Sequence, residues 1–407
     1  MSPPRIRSEM NGMGEPPGKV WFWELAAAVI DAGRCVQCGA CVAACPTDSI
    51  GVGQDNLPVL VKMCTGCSLC WDFCPRGGLR YEATWHRPAT QSQDDWRITG
   101  ADPAPGLGKV REANAARVRS GSKLSSQGAQ DGGVVSAMLL ASLAAGEIDG
   151  AVVAREDPDH PWKGVPHLAT TSEEIRAASG SFYNQTMALS RLDLASAGLA
   201  ADARIAVVGT PCEIQGLRAL QAREWRRGAS RVDAVVLTIA LLCTKSFDYK
   251  RLMLEEIASR RQVDLAEVGK VDVVHGRMVV EDHTGETIVD EPVKAFHGAA
   301  LKGCDECSDF LGRAADVSVG SVGSAAGYSS VLVRTPAGQR AFDAVRPELD
   351  LVELEAPAAL DKLDRLDKRI AATALQRPFD PDGPLFIDFA EHVTFYAGTD
   401  RAPVWRD

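Results

Sequence analysis

Twelve cysteines are the residues of this chain whose spacing could do chemistry. From Arg34, RCVQCGACVAACPTDSI sets Cys35, Cys38, Cys41 and Cys45 in a Cys-x2-Cys-x2-Cys-x3-Cys-Pro run. From Met63, MCTGCSLCWDFCPRGGL repeats it with Cys64, Cys67, Cys70 and Cys74. Three closely spaced thiolates wrap three corners of a cubane, and the fourth, turned away by the proline, reaches a second cubane. The pattern therefore assigns Cys35, Cys38, Cys41 and Cys74 to one 4Fe–4S cluster, and Cys64, Cys67, Cys70 and Cys45 to another. Two zinc sites fit worse, because structural zinc uses separated Cys pairs with no third Cys in the same loop.

Four cysteines remain. Cys212 follows the apolar run RIAVVG in Thr210-Pro211-Cys212-Glu213, where Thr at N-cap, Pro at the first helical position and Glu at the third predict a capped helix start. A thiol in that first turn lies at the positive end of the helix dipole. Cys243 closes the next apolar run, VDAVVLTIALL, just before another helical stretch, CTKSFDYKRLMLEEIASRR, which Ser246 is expected to cap. If both runs are parallel strands, their carboxyl ends share one sheet edge, which would bring Cys212 and Cys243 together with Cys304-x-x-Cys307. A third iron–sulfur cluster, a four-thiolate zinc site and unliganded core thiols are all compatible with the spacing.

The elements that must position these residues read as α/β with an α+β element. Strand-like runs alternate with helical ones, predicting a mostly parallel sheet, and Val268 to Val293 reads as a small antiparallel piece. The expected divisions are a disordered leader over 1–20, a two-cluster ferredoxin domain over 21–84 and a linker over 85–124. A first α/β domain over 125–203, a second over 204–390 and a tail over 391–407 complete them. The chain has 407 residues, 45% hydrophobic and 24% charged, enough for several cores. Its net charge of −10 argues against a nucleic-acid partner. The longest strongly apolar run, Ala234 to Cys243, is too short to span a membrane. With no signal-peptide pattern, the cysteines point to metal or redox chemistry in a reducing cytoplasm.

The segments QDGGVVSAMLLASLAAGEIDGAVV, GTPCEIQGLRAL, LLCTKSFDY and CDECSDFLGRAADVSVGSVGSAAGYSSVLVRT together resemble the coenzyme F420 hydrogenase/dehydrogenase beta-subunit family, over roughly Ser125 to Thr335. The fused two-cluster module looks most like the input subunit of the dehydrogenases that oxidise the reduced coenzyme. The resemblance implies FAD, a third 4Fe–4S cluster on Cys212, Cys243, Cys304 and Cys307, and coenzyme F420 as substrate. A hydride would pass to FAD and single electrons would pass through three clusters to a ferredoxin, a quinone-linked acceptor or another redox subunit, or the reverse. A ferredoxin-driven reductase of an organic substrate and a pure electron-transfer adaptor are the rival readings. Expected flavin contacts are Gln130, Asp131, Gly132 and Gly133, then Gly209 and Thr210, then Gly320, Ser321, Gly323 and Ser324. The phosphate and polyglutamate tail of the coenzyme call for a basic mouth, for which Lys109, Arg111, Lys245 and Arg334 are the candidates. The stretch that supplies the first two, GKVREANAARVRS, also holds Arg117 and Arg119. Where many family members carry Gly-Ser-Lys-Tyr, this chain has Phe182 in place of the lysine. The implied location is the cytoplasm, free or docked on the cytoplasmic face of a membrane complex.

Overall fold

The computed structural model describes residues 20–77, 106–222, 225–375 and Phe379. The expected leader up to residue 19, the first part of the expected linker and the expected tail lie outside the described residues. The N-terminal module comprises α1 (Phe22–Leu25), α2 (Ala40–Ala44), the antiparallel hairpin of β1 (Ile50–Val52) and β2 (Pro58–Leu60), and α3 (Leu69–Asp72). Then come β3 (Glu112–Val118), α4 (Val134–Ala144), β4 (Gly150–Asp157), β5 (His160–Ala169) and α5 (Ser172–Ala177). The next elements are β6 (Ile205–Gly209), α6 (Pro211–Ala222) and β7 (Val235–Leu241). A three-stranded piece holds β8 (Val268–Val274), β9 (Arg277–Asp282) and β10 (Thr287–Pro292). Last are β11 (Val317–Gly320), β12 (Ser329–Val333), α7 (Pro336–Val345), β13 (Leu349–Val352) and α8 (Pro357–Ala374).

Eight strands form one sheet in the order β13-β3-β12-β11-β7-β6-β4-β5. Side chains alternate across it, as a period of two requires. Ala151, Val153, Ala206, Leu237 and Ile239 face α4 and α7, whereas Val152, Ile205, Val207, Val235 and Ala240 face α6 and the N-terminal module. The sheet is mixed rather than mostly parallel. Among the described strands, only β4–β6, β6–β7 and β7–β11 pair in parallel. The turns from β4 to β5 and from β11 to β12 are too short for a parallel crossover, which needs a dozen or more residues.

Three further expectations change. The end of the supposed linker is β3, inserted between β13 and β12, where short Ala side chains let it pack under α4. Strands on both sides of residue 204 share the one sheet, so the two expected α/β domains are halves of a single layer. Ser246 caps no helix: the π-type helix Lys250–Arg260 is opened by Asp248, whose carboxylate accepts from the Arg251 N–H at 2.9 Å. The antiparallel piece over β8–β10 is present as expected. Among the described residues, no helix is long and apolar enough to cross a membrane.

Candidate redox site

The two N-terminal motifs fold as short loops, each closed by a single helical turn. Left-handed residues make the bends: Gly39 at φ 80° before α2 and Ser68 at φ 69° before α3. The loops turn amide groups onto sulfur. Gln37 donates to Cys35 Sγ at 3.4 Å, Ser49 to Cys45 at 3.2 Å, Gly66 to Cys64 at 3.4 Å and Arg76 to Cys74 at 3.4 Å. Cys74 bears electrostatically on Cys35, Cys38 and Cys41, while Cys45 bears on Cys67 and lines one recess with Cys64, Cys67 and Cys70. The last cysteine of each motif thus lies beside the first three of the other. Only Cys67 among the eight is exposed.

The other four cysteines meet at the carboxyl edge of the parallel strands. Cys212 sits in the first turn of α6, directly after β6, and Cys243 follows β7, its N–H bonded to the Phe310 carbonyl at 3.2 Å. Cys304 and Cys307 come from a 3-10 turn over Lys302–Glu306 and its exit. Cys243 bears on Cys304, Cys212 and Cys307, so three distant parts of the chain surround one space. Burial pushes all four thiols up, Cys304 to about 11. Four thiols that oppose one another's ionisation, Cys212 buried and the other three half-buried, are a donor set suited to a group carrying positive metal charge.

Polar side chains gather these sulfurs. The Thr210 hydroxyl lies 3.2 Å from Cys212 Sγ and 3.1 Å from Glu213 Oε2, which also accepts the Thr210 N–H at 2.8 Å. Burial pushes the Glu213 carboxyl up to about 7. Gln185, itself buried, donates to the Thr210 hydroxyl at 2.8 Å, and its oxygen accepts the Ser246 hydroxyl at 2.8 Å. Ser246 in turn presents its N–H to Cys304 Sγ at 3.5 Å and lies 3.8 Å from Cys243 Sγ. Neither Gln185 nor this role of Ser246 was signalled by the sequence, since both contacts depend on strand order.

This centre abuts the first. The Arg34 guanidinium grips Glu306 at 2.6 and 2.9 Å, and Arg76 Nε donates to the Gly303 carbonyl at 2.6 Å. Cys38 and Cys212 share one core with Ala40 and Ile214, and Ala40 lies against Gly216 of α6. The order in space is thus the Cys212 group, then the Cys35 group, then the Cys64 group with its exposed Cys67. Arg34 and Arg76 stand in the two cysteine motifs, but nothing local tells where they reach.

The expected flavin contacts lie on the same edge of the sheet. Gln130–Gly133 follow β3, Ser321–Ser324 follow β11, and Gly209–Thr210 end β6. From β3 to β6 is four strand spacings, about 19 Å. Gly132 is demanded by the chain itself, since a Cβ there would stand 2.1 Å from the Ala116 carbonyl oxygen. Gly133 takes a left-handed φ of 71° to open α4. Gln130 Nε2 reaches the Val271 carbonyl at 3.2 Å, and the Ser324 hydroxyl is held by the Tyr328 and Ser321 carbonyls. Gly320 abuts Leu242, and Gly323 abuts Leu360 at a left-handed φ of 92°.

The expected basic mouth is not assembled. Lys109 and Arg111 precede β3 and so lie at the opposite edge, where the Arg111 N–H bonds the Val333 carbonyl. Arg334 is fully buried, its guanidinium spent on the Ser318 hydroxyl and the Leu107, Lys109 and Leu311 carbonyls. Lys245 alone of the four stands at the cysteine edge, paired with Asp305. Arg117 and Arg119 end β3 on that edge, partly exposed and each paired with Asp350. Phe182 packs over Gly164 and against Trp162.

A dicluster module set against a sheet whose ligand edge carries four more thiols defines a redox subunit. Comparison places it further. Residues 202–358 and 116–193 match the C-terminal and N-terminal models of the coenzyme F420 hydrogenase/dehydrogenase beta subunit, and 28–80 match a 4Fe-4S dicluster domain. The chain is 32% identical over 275 residues to the coenzyme F420 hydrogenase subunit beta of Methanosarcina barkeri, covering 63% of this chain and 91% of that one. It is 29% identical over 345 residues to a subunit of the F(420)H(2) dehydrogenase of Methanosarcina mazei, covering 81% and 88%. It is 32% identical over 366 residues to the coenzyme F420-dependent sulfite reductase of Methanocaldococcus jannaschii, covering 86% of this chain but spanning about half, 52%, of that protein. Among solved structures, the F420-reducing NiFe hydrogenase complex of Methanosarcina barkeri contains a chain matched with a TM-score of 0.59 and 32% identity, over 66% of this chain and 91% of that one. The chain belongs to the coenzyme F420 hydrogenase/dehydrogenase beta-subunit family.

Proposed function

We propose that this protein takes a hydride from reduced coenzyme F420 and delivers its two electrons singly to a redox partner, or runs the same exchange in reverse. The observation that carries the reading is the gathering of Cys212, Cys243, Cys304 and Cys307 at the sheet edge that also bears the Gln130, Gly209 and Gly320 loops. FAD, when bound along those loops, would convert a two-electron donor into a one-electron source. The twelve thiolates would hold three 4Fe–4S clusters, each able to take one electron. Gly132 and Gly133 would bring backbone to the cofactor at the α4 N-terminus, and Thr210 would sit between it and Cys212. The Gln185–Ser246–Thr210 network would hold the inner thiolates in place and direct N–H groups at them.

A single zinc ion is the rival occupant of the four inner thiols, and metal content separates the two. The acceptor would meet the protein at the exposed Cys67 end, the far end of the three-centre line. A partner subunit or a small iron–sulfur protein fits that role, free in the cytoplasm or docked with a membrane complex.

The test is anaerobic titration of the FAD-reconstituted protein with reduced F420, following flavin and cluster absorbance together. Flavin bleaching followed by cluster bleaching is the expected result. A folded, iron-loaded protein that retains neither FAD nor FMN, or whose flavin ignores reduced F420, would reject the reading.

A further inference from the structure

Arg76 follows Cys74-Pro75 and is 3% exposed. Its N–H bonds Cys74 Sγ at 3.4 Å, its Nε the Gly303 carbonyl at 2.6 Å and its Nη1 the Pro75 carbonyl at 3.0 Å. The remaining nitrogen, Nη2, is buried and makes no hydrogen bond. The nearby carboxylate, Glu306, is gripped through both oxygens by Arg34. Arg76 itself forms no ion pair with a carboxylate among the described residues. Burial opposes its charge, yet Cys307, Glu306, Cys212 and Cys304 more than offset this and hold the guanidinium more firmly protonated than usual.

A buried cation with no paired carboxylate persists only where other negative charge lies close. Here that charge comes from Glu306, which Arg34 also grips, and from thiolates, Cys74 on one side and Cys212, Cys304 and Cys307 on the other. Four thiolates on a cubane leave a net negative charge that grows with each electron, and fixed charge and hydrogen bonds around the sulfurs set the potential. A cation between two such centres favours the reduced form of both, and it does so without moving.

We propose that Arg76 is the positioning residue of the step between the Cys212 centre and the Cys35 centre: it fixes the two ligand loops against each other and raises both reduction potentials. The inference rests on the reading that these eight thiols hold two clusters. In the step itself one electron is exchanged, no bond is made or broken, and Arg76 keeps its proton throughout.

The experiment compares anaerobically prepared wild type, Arg76→Gln and Arg76→Lys, each assayed for iron and sulfide, by redox titration followed by electron paramagnetic resonance. In Arg76→Gln, two of the three cluster signals should shift to more negative potential by at least a tenfold change in the one-electron equilibrium, 59 mV. The third, from the Cys64 centre, should stay. Arg76→Lys, which keeps the charge, should titrate close to wild type. An iron-loaded Arg76→Gln with unchanged potentials, or with all three shifted alike, would overturn the proposal. Should Arg76→Gln lose its iron, Arg76→Lys decides: wild-type potentials uphold the charge role, and a tenfold negative shift overturns it. Wild type with only two clusters would instead reject the three-cluster reading, leaving the Cys35 centre to test Arg76 alone.

Discussion

The carbonyl oxygen of Arg34 stands 2.0 Å from where a Cβ on Gly303 would lie. The backbone that precedes Cys35 and the backbone that precedes Cys304 therefore touch directly, and only glycine allows it. Gly303→Ala should push the two loops apart, at about 3 kcal/mol of stability for a clash that no side chain can relieve. Because Arg76 binds the same Gly303 carbonyl, the damage should reach both centres. Iron assay and thermal unfolding of the variant check this; full iron content at an unchanged melting temperature would refute it.

Metal content tests the donor sets. Protein purified anaerobically should hold about twelve iron and twelve sulfide, four of each per cubane. About eight iron with one zinc would show that Cys212, Cys243, Cys304 and Cys307 hold a single ion.

The spatial order of the three centres makes a kinetic prediction. Cys67→Ser should leave flavin bleaching and the inner two centres intact, while transfer to a protein acceptor falls at least tenfold. Cys307→Ser, if it holds its remaining iron, should bleach its flavin and leave the Cys35 and Cys64 centres oxidised on the turnover timescale. Rapid-mixing spectra decide; outer centres that fill at the wild-type rate in Cys307→Ser would break the proposed line.

A pH dependence follows from Asp131. Burial, and then the like charge of Asp272, raise its carboxyl to about 6, with Lys270 opposing. Its folded pKa lies above its unfolded one, so the fold binds the proton more tightly. This contribution is complete below about pH 4 and is lost as pH rises to about 6. Asp131→Asn should therefore stabilise the flavin-free protein at pH 7.5, by about 1 kcal/mol after discounting for partial exposure, and less at pH 5. Denaturant melts at the two pH values test it, and an equal effect at both would contradict it.

The N-terminal centres were legible because a local motif, with its spacing and its proline, carries the whole ligand pattern. The inner centre was legible only in part. The capped turn at Cys212 and the strand end at Cys243 could be read, but their meeting depended on the parallel order of β6 and β7. What failed was direction and distance. Lys109, Arg111 and Arg334 were expected to line a basic mouth, yet β3 and β12 carry them to the far edge or into the core. The bonds from Arg34 to Glu306 and from Arg76 to Gly303 span 272 and 227 residues, beyond the reach of any local rule.

The interlock of the N-terminal module with the sheet has a mechanical consequence. Beyond Arg34 and Gly303, Asn56 donates to the Gln185 carbonyl at 2.7 Å and Asp48 accepts from the Ala229 N–H at 2.9 Å, so the module is fastened at several separate points. A ferredoxin held this way is no tethered shuttle that swings between donor and acceptor. Its internal hops cross a fixed gap, so thickening the solvent with sucrose should leave the rate of inner-to-outer transfer unchanged and slow only the encounter with the acceptor.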